Sequence, residues 1–170
     1  MNLSIRDASV PVLIRTMQSL LGIVDKGRQH AEAEKWDASV LLATRLYPDM
    51  FPFSRQIQIV SDNCKGAIAR LAASDPPSYP DTESSFAELT QRLEKTIAFV
   101  QGVDPKRFEG ADTRPIELKF PQTTLNFKDG WQYLSGFVLP NVYFHATTAY
   151  AILRHCGVKL GKGDFLGKIA

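Results

Sequence analysis

The chain has 170 residues, of which 44% are hydrophobic, so it is long enough to bury one sizeable core but not two. Its 20 basic and 18 acidic residues leave a formal net charge of +2, and no long run of like charges occurs. Proteins that bind nucleic acid or a membrane surface usually carry a concentrated basic region, so this pattern argues against both classes. The sequence therefore predicts a single domain over residues 1–170.

The first residues and the cysteines indicate the compartment. Residues 1–15 lack the basic start, apolar middle and small-residue cleavage site of a secretory signal. No window approaches the ~20 apolar residues that a membrane-spanning helix needs. Cys64 and Cys156 lie in separate predicted helices without a CxxC pair, which favours buried thiols over a disulfide. We therefore expect a cytoplasmic protein.

Amphipathic spacing predicts a long first helix over about residues 10–34, with Pro11 in its first turn, where a missing backbone donor does no harm. The end of this helix is charged all round, which predicts that His30 lies on a solvated face. Asp37 is then expected to cap a short helical segment, about residues 38–46. The chain thus begins with one long helix and one short one.

Two further amphipathic helices are predicted over about residues 50–73 and 82–101. A proline-rich crossover, residues 72–82, joins them and is too rigid for a flexible linker. Expected caps are Asp49 for the former helix and Asp81 or Thr82 for the latter. These helices supply the middle of the predicted bundle.

A short β-hairpin and one more helix complete the chain. Apolar and polar residues alternate over about residues 114–128, which predicts a two-stranded hairpin packed on the helices. A helical period returns over about residues 129–156, where Pro140 is expected to kink the helix by removing a hydrogen bond to Gly136. Gly157 is expected to end this helix.

The apolar stripe of the last helix contains polar side chains. It is formed by Leu134, Phe137, Val138, Phe144, Ala151 and Ile152, and polar residues within it or at its border are Asn141, His145, Thr148 and His155. Such groups need hydrogen-bond partners or a ligand, because an unpaired buried polar group costs about 1–3 kcal/mol. This stripe is the most suggestive chemical feature of the sequence.

The histidines do not predict a metal site by themselves. His145 and His155 are ten residues apart, or ~15 Å along a helix, so they cannot bind one ion. A His-x-x-x-His pair is absent because position 149 is Ala149. His155 is expected to complement the dipole at the helix end. No transition-metal site is predicted.

His145 remains the candidate for a site. As a general base it is expected to be oriented by Asn141, by Gln56 or by Asp49. The alternative is an interior histidine that is satisfied by its neighbours. Charged residues of the second long helix, Arg55, Asp62 and Lys65, are spaced for ion pairs and are expected on a solvated face.

Three segments carry a family resemblance that covers nearly the whole chain: PDMFPFSRQIQ (48–58), FAELTQRLEKTIAFV (86–100) and LPNVYFHATTAYAILRHCGVKLGKGDFLG (139–167). They resemble an uncharacterised bacterial domain family related to the DinB/YfiT-like four-helix bundles. The resemblance implies an all-α, left-handed four-helix bundle with a long crossover, commonly a homodimer.

The resemblance also implies a metal site from which this chain departs. Relatives hold a divalent metal with three histidines, one on the second helix and a pair at i, i+4 on the last. Here His145 corresponds to one ligand, Ala149 stands at the other position of the pair, and the second helix offers Gln56. The chain therefore matches the fold without the metal triad.

Three functional hypotheses follow. The first is a cytoplasmic, homodimeric bundle without a cofactor, which binds a small polar ligand near Asp49, Gln56, Asn141 and His145. The second is a transferase or hydrolase with a remodelled site, in which His145 acts as a base or as the sole imidazole ligand of a divalent metal. The third is a partner-binding module with a large exposed apolar patch.

Overall fold

The computed structural model describes residues 3–167, most of which are helical. In chain order the elements are α1 (Ile5–Glu34), α2 (Ala38–Ala43), α3 (Phe53–Leu71), α4 (Phe86–Gly102), a 3-10 turn (Pro105–Phe108), β1 (Ile116–Phe120), β2 (Thr123–Phe127), α5 (Gly130–Tyr133), a π-helical turn (Leu134–Val138), α6 (Leu139–His155) and α7 (Lys162–Leu166). This order confirms a mostly helical chain with a hairpin before the last long helix. No helix in this range has the length and apolar character to cross a membrane.

The long helices share one hydrophobic core, and α3 is central to it. Helix α3 packs against both α6 and α4, and α1 packs mainly against α4. Fully buried side chains come from all four of these helices and include Leu13, Met17, Ile57, Leu93 and Ile152. Each such side chain contributes about 1.5–3 kcal/mol through its removal from water. This core fixes the position of α3 relative to α6.

The first two helices begin at polar caps. The predicted start of α1 at residue 10 is wrong: the helix begins five residues earlier, where the Ser4 hydroxyl accepts a hydrogen bond from the Asp7 backbone N–H at 3.1 Å. Pro11 therefore lies inside the helix and is exposed. Asp37 caps α2 as predicted, accepting from the Ser39 backbone N–H at 2.8 Å.

The predicted caps of α3 and α4 are wrong. Helix α3 begins after Pro52 without a side-chain cap, and Asp49 lies exposed in the preceding turn. Helix α4 begins after Ser85, whose hydroxyl pairs with the Glu88 backbone N–H while the Glu88 carboxylate accepts from the Ser85 backbone N–H. This reciprocal pair satisfies the start of α4, so Asp81 remains available for ion pairs.

The hairpin has the predicted alternation. Strands β1 and β2 are antiparallel, with Ile116 opposite Phe127 and Leu118 opposite Leu125. Ile116 and Leu118 are buried, and the residue between them is exposed. The apolar face of β1 therefore packs on the helices, as a two-stranded hairpin requires for stability.

A π-helical turn lies where a proline kink was predicted. It ends at Val138, two residues before Pro140, and the Leu139 backbone N–H bonds to the Leu134 carbonyl, five residues back. Buried residues follow four apart from this turn into α6, at Leu134, Val138, Val142 and Ala146. Phe144 falls outside this sequence and is 60% exposed, so its predicted place in the interior stripe is wrong.

Helix α6 ends at His155, and Gly157 follows its C-cap residue as predicted. Gly157 adopts φ 89°, a left-handed conformation that favours glycine, and its N–H bonds to the Arg154 carbonyl at 3.2 Å. Val158 and Leu160 beyond it are buried. The chain after α6 therefore adds to the core before it forms α7.

Candidate functional site

A cleft of about 360 Å³ lies between α3 and the segment formed by α5, the π-helical turn and α6. Three side-chain contacts cross beside it: Gln56 to His145, Asn63 to Asn141, and Arg70 to Tyr133. Residue numbers rise on α3 while they fall on the facing segment, so the two run antiparallel. The cleft is lined by Arg55, Ile59, Asp62, Asn63, Arg70, Leu118, Phe120, Tyr133, Phe137, Asn141 and His145.

Gln56 fixes the orientation of the His145 ring. The His145 Nδ1 lies 2.7 Å from the Gln56 Oε1, and Gln56 is only 2% exposed. The Gln56 Nε2 donates to the Phe51 carbonyl at 3.0 Å, which requires that Oε1 face the ring. Nδ1 therefore carries the proton of the neutral ring, and Nε2 is left as a hydrogen-bond acceptor.

The surroundings of His145 favour the neutral imidazole. Burial lowers the pKa of His145 below its ordinary value, and the positive charge of Arg55 lowers it further. Gln56 carries no charge that would offset these effects. At neutral pH the ring is therefore uncharged, with a basic Nε2.

An amide pair lies one helical turn from His145. The Asn63 Nδ2 donates to the Ile59 carbonyl at 2.9 Å and to the Asn141 Oδ1 at 3.3 Å. The Asn63 Oδ1 and the Asn141 Nδ2 make no hydrogen bond within residues 3–167. This pair therefore keeps one acceptor and one donor, the set that complements an amide group.

Asp62 is the carboxylate that lines the cleft, and ion pairs behind α3 balance its negative charge. Arg92, 4% exposed, bonds to Asp62 at 2.7 Å, Asp81 at 3.0 Å and Glu83 at 2.8 Å. Lys65, 7% exposed, lies 2.9 Å from Asp62. The predicted solvated face is therefore wrong for Lys65, because α4 and the crossover cover this side of α3.

The structure gathers three of the four predicted site residues. Asn141 and His145 line the cleft and Gln56 lies behind His145, whereas Asp49 is exposed and does not line it. Among the residues that were not assigned to the site are Arg55, Asn63 and Arg70 of α3. Their spacing of seven or eight residues places them on one helical face, a signal that the sequence contained.

The other two histidines lie away from the cleft. His155 lies in the last turn of α6, as predicted, but its side chain is exposed, so its predicted place at the apolar stripe is wrong. His30 is half-buried with its ring edge-on to Trp36, so the prediction of a solvated face is wrong there. Neither histidine lines the cleft at His145.

The donor set of the cleft does not fit a three-histidine metal site. Gln56 uses its side-chain oxygen to hold His145, and Ala149 is fully buried without a donor. The positive charge of Arg55 disfavours a second cation at the ring. Within residues 3–167 no group of three or more His, Cys, Asp or Glu side chains is placed to hold a metal ion.

The fold and the site define a class: a mostly helical protein in which a single imidazole and amides occupy the inter-helical cleft. A sequence model for a domain of unknown function, DUF1993, matches residues 5–166. The chain belongs to the DUF1993 family. This confirms the resemblance of the sequence.

A solved structure is similar over almost the whole chain. The crystal structure of a DinB family member protein from Shewanella denitrificans superposes with a TM-score of 0.87 at 37% sequence identity. The match covers 96% of this chain and 92% of that chain. Among curated proteins, none matches.

Proposed function

We propose that this protein is a DinB-like four-helix bundle without the metal triad, and that it binds a small polar ligand in the cleft at His145. The four long helical segments of the bundle are α1, α3, α4 and the segment from α5 to α6. Residues 72–85 form the long crossover. The observation that carries the proposal is the Gln56–His145 hydrogen bond, which holds the ring in one tautomer. A ring held in this way offers Nε2 to a ligand donor.

Neighbouring groups support a ligand with both a donor and an acceptor. The Asn63 Oδ1 and the Asn141 Nδ2 lie one turn from the ring and have no partner within the described range. Half-buried polar groups gain free energy when a ligand completes their hydrogen bonds. Apolar side chains of the cleft, such as Phe137 and Leu118, would cover the rest of the ligand.

A fragment screen by ¹⁵N-resolved NMR tests the proposal. The panel contains hydroxyl and amide compounds, both neutral and anionic. We expect hits whose shift changes concentrate at Asn63, Asn141 and His145, and His145→Phe should remove these changes. His155→Phe, an exposed change of the same kind, should leave them intact. A panel without any hit at the cleft would contradict the proposal.

A second candidate is a hydrolase or transferase that uses His145 as a general base. A neutral imidazole with an available Nε2 is the observation that favours this candidate. In that case the wild type should hydrolyse chromogenic esters faster than they hydrolyse in buffer. His145→Gln should lower this rate at least about tenfold. The same rate in wild type, His145→Gln and buffer would exclude this activity for esters.

We further propose that the protein is a cytoplasmic homodimer without a nucleic-acid or membrane partner. Tyr47 and Phe51 are 66% and 53% exposed, and Phe144 is 60% exposed beside His145. Such apolar side chains near one site support contact with a second chain. The free thiols of Cys64 and Cys156 support a reducing compartment.

A further inference from the structure

Arg70 differs from the other arginines around the cleft. Its Nη1 lies 3.3 Å from the Tyr133 hydroxyl, and it forms no ion pair with any residue in the range 3–167. By contrast, Arg55 pairs with Asp81, and Arg92 pairs with three carboxylates. Arg70 is therefore the cation of the cleft whose charge no neighbouring carboxylate balances.

The chain is shaped to receive this guanidinium. A Cβ atom on Gly66 would lie 2.6 Å from the Arg70 Nη1, so glycine makes room for the head group across the face of α3. Tyr133 is 1% exposed, and burial raises the pKa of its hydroxyl, which keeps it protonated. Because this hydroxyl accepts from Arg70, its own hydrogen remains for a ligand.

No carboxylate within residues 3–167 forms an ion pair with Arg70, and Asp62 of the same cleft pairs with the cations behind α3 instead. Arg70 also borders a second, shallow depression with Asp75 and Glu117. Glu117 pairs with Lys119 at 2.9 Å, and neither acid forms an ion pair with Arg70. An anion that reaches Arg70 would therefore meet one charged donor, the guanidinium, and one neutral donor, the Tyr133 hydroxyl.

Apolar surface and the amide pair surround this donor pair. Phe137 stacks on Tyr133 with ring centroids 6.0 Å apart, and Leu118 and Phe120 of β1 line the same cleft. The Arg70 guanidinium lies at the level of Gly66, three residues from Asn63, which is about 5 Å along the helix. A carboxylate at Arg70 would thus lie about one turn from the amide pair.

We infer that the cleft binds an N-acylated amino acid with an apolar side chain. Its carboxylate would bind Arg70 and Tyr133, and its amide would pair with the Asn63 Oδ1 and the Asn141 Nδ2. Its side chain would pack on Phe137 and the hairpin, and its acyl group would extend toward His145. This inference rests on the proposed function and names the chemical class of its ligand.

Two matched probes test the inference by calorimetric titration. N-acetylphenylalanine carries the carboxylate, and N-acetylphenylalaninamide replaces it with a neutral amide. We expect the wild type to bind the acid at least about tenfold more tightly, as one charge-assisted hydrogen bond implies. Arg70→Gln should abolish this preference, whereas Arg154→Gln, an exposed change of the same charge on α6, should retain it.

Tyr133→Phe gives a second variant that keeps the aromatic packing. It should weaken binding of the acid more than binding of the amide. Equal affinity for the two probes in the wild type, or a preference that survives in Arg70→Gln, would overturn the inference. So would the absence of binding by either probe. Hits of other chemistry that map to the cleft in the fragment screen would still support the proposed function.

Discussion

At the scale of single residues, His145 and Gln56 determine the chemistry of the cleft. Gln56 is a neutral acceptor for Nδ1–H, so it fixes the tautomer without stabilising the imidazolium as a carboxylate would. Burial and Arg55 both lower the pKa of His145. Protonation of His145 is consequently less favourable in the folded protein than in the unfolded chain.

This difference predicts a pH dependence of stability. Because the folded-state pKa of His145 is below its unfolded value of about 6.5, the unfolded chain binds more protons as pH falls through this value. The stability that the neutral His145 ring contributes is therefore fully present above its unfolded pKa and is lost as the pH falls below about 6.5. Urea unfolding should show that His145→Gln loses less free energy of unfolding over this fall in pH than the wild type.

Gln56→Glu should make the surroundings of the His145 ring favour its charged form instead of its neutral form. A carboxylate at this position would accept the Nδ1 proton and favour the imidazolium, so the pKa of His145 should rise. An NMR titration of the His145 Cε1 proton measures this pKa directly. Gln91→Glu, exposed on α4, adds the same charge away from the ring and should leave the pKa unchanged. A lowered pKa in Gln56→Glu would show that the contact is not the one described.

At the scale of elements, α3 carries three different faces. One face packs into the core, a second lines the cleft, and a third meets α4 and the crossover through the ion pairs of Arg92. Asp62 belongs to both polar faces, because it lines the cleft and pairs with Arg92 and Lys65. The charge network thus holds α3 and α4 in register beside the site.

Arg92→Leu should be strongly destabilising. It would leave Asp62, Asp81 and Glu83 close together without their shared cation, at a cost of about 3 kcal/mol. Arg28→Leu removes a partly exposed arginine that pairs with two acids within α1 and should cost less than about 1 kcal/mol. Urea unfolding of both variants measures the difference. Similar losses would show that the Arg92 network is worth no more than a surface pair.

The start of α5 is packed too closely for a side chain. A Cβ atom on Gly130 would lie 2.1 Å from the Ala111 carbonyl oxygen and 2.6 Å from the Ile5 Cδ1. Gly130→Ala should therefore lower stability by about 3 kcal/mol or more. Gly136→Ala, in the π-helical turn with no atom near its Cβ position, should change stability by less than about 1 kcal/mol. Thermal unfolding that ranks the two variants in the opposite order would contradict this packing.

At the scale of the whole molecule, exposed apolar side chains are concentrated in the connection between α1 and α3. Trp36, Val40, Leu46, Tyr47 and Phe51 are each between 41% and 66% exposed. The Phe51 carbonyl also holds Gln56, so this surface adjoins the cleft. A second copy bound here would lie next to the site.

Light scattering after size exclusion tests this arrangement. We expect the mass of two chains for the wild type and the mass of one chain for the double variant Tyr47→Ser, Phe51→Ser, which removes exposed apolar area. Leu166→Ser, a partly exposed position on α7, should remain dimeric. A monomeric wild type would exclude the homodimer and would favour a module that binds another protein.

The parts of the fold that could be predicted are those set by patterns among residues close together in the sequence. Alternation identified the hairpin, helical periodicity identified the long helices, and Gly157 marked the end of α6 as predicted. Helix starts were less accurate, because Asp49 and Asp81 are as suitable for capping as Ser85. The π-helical turn before Pro140 could not be read from a fixed helical period, and for this reason Phe144 was wrongly placed in the interior.

The sequence by itself determined a mostly helical chain, its family, and the presence of His145, Asn141 and Gln56 as polar residues that need partners. Only the tertiary structure decided that Gln56 holds His145, that Asp49 lies outside the cleft, and that Arg70 lines the cleft without an ion pair to a described carboxylate. The physical reason is distance along the chain. Periodicity fixes neighbours within a helix, whereas the contacts that set charge and tautomer join α3 to a segment more than sixty residues away.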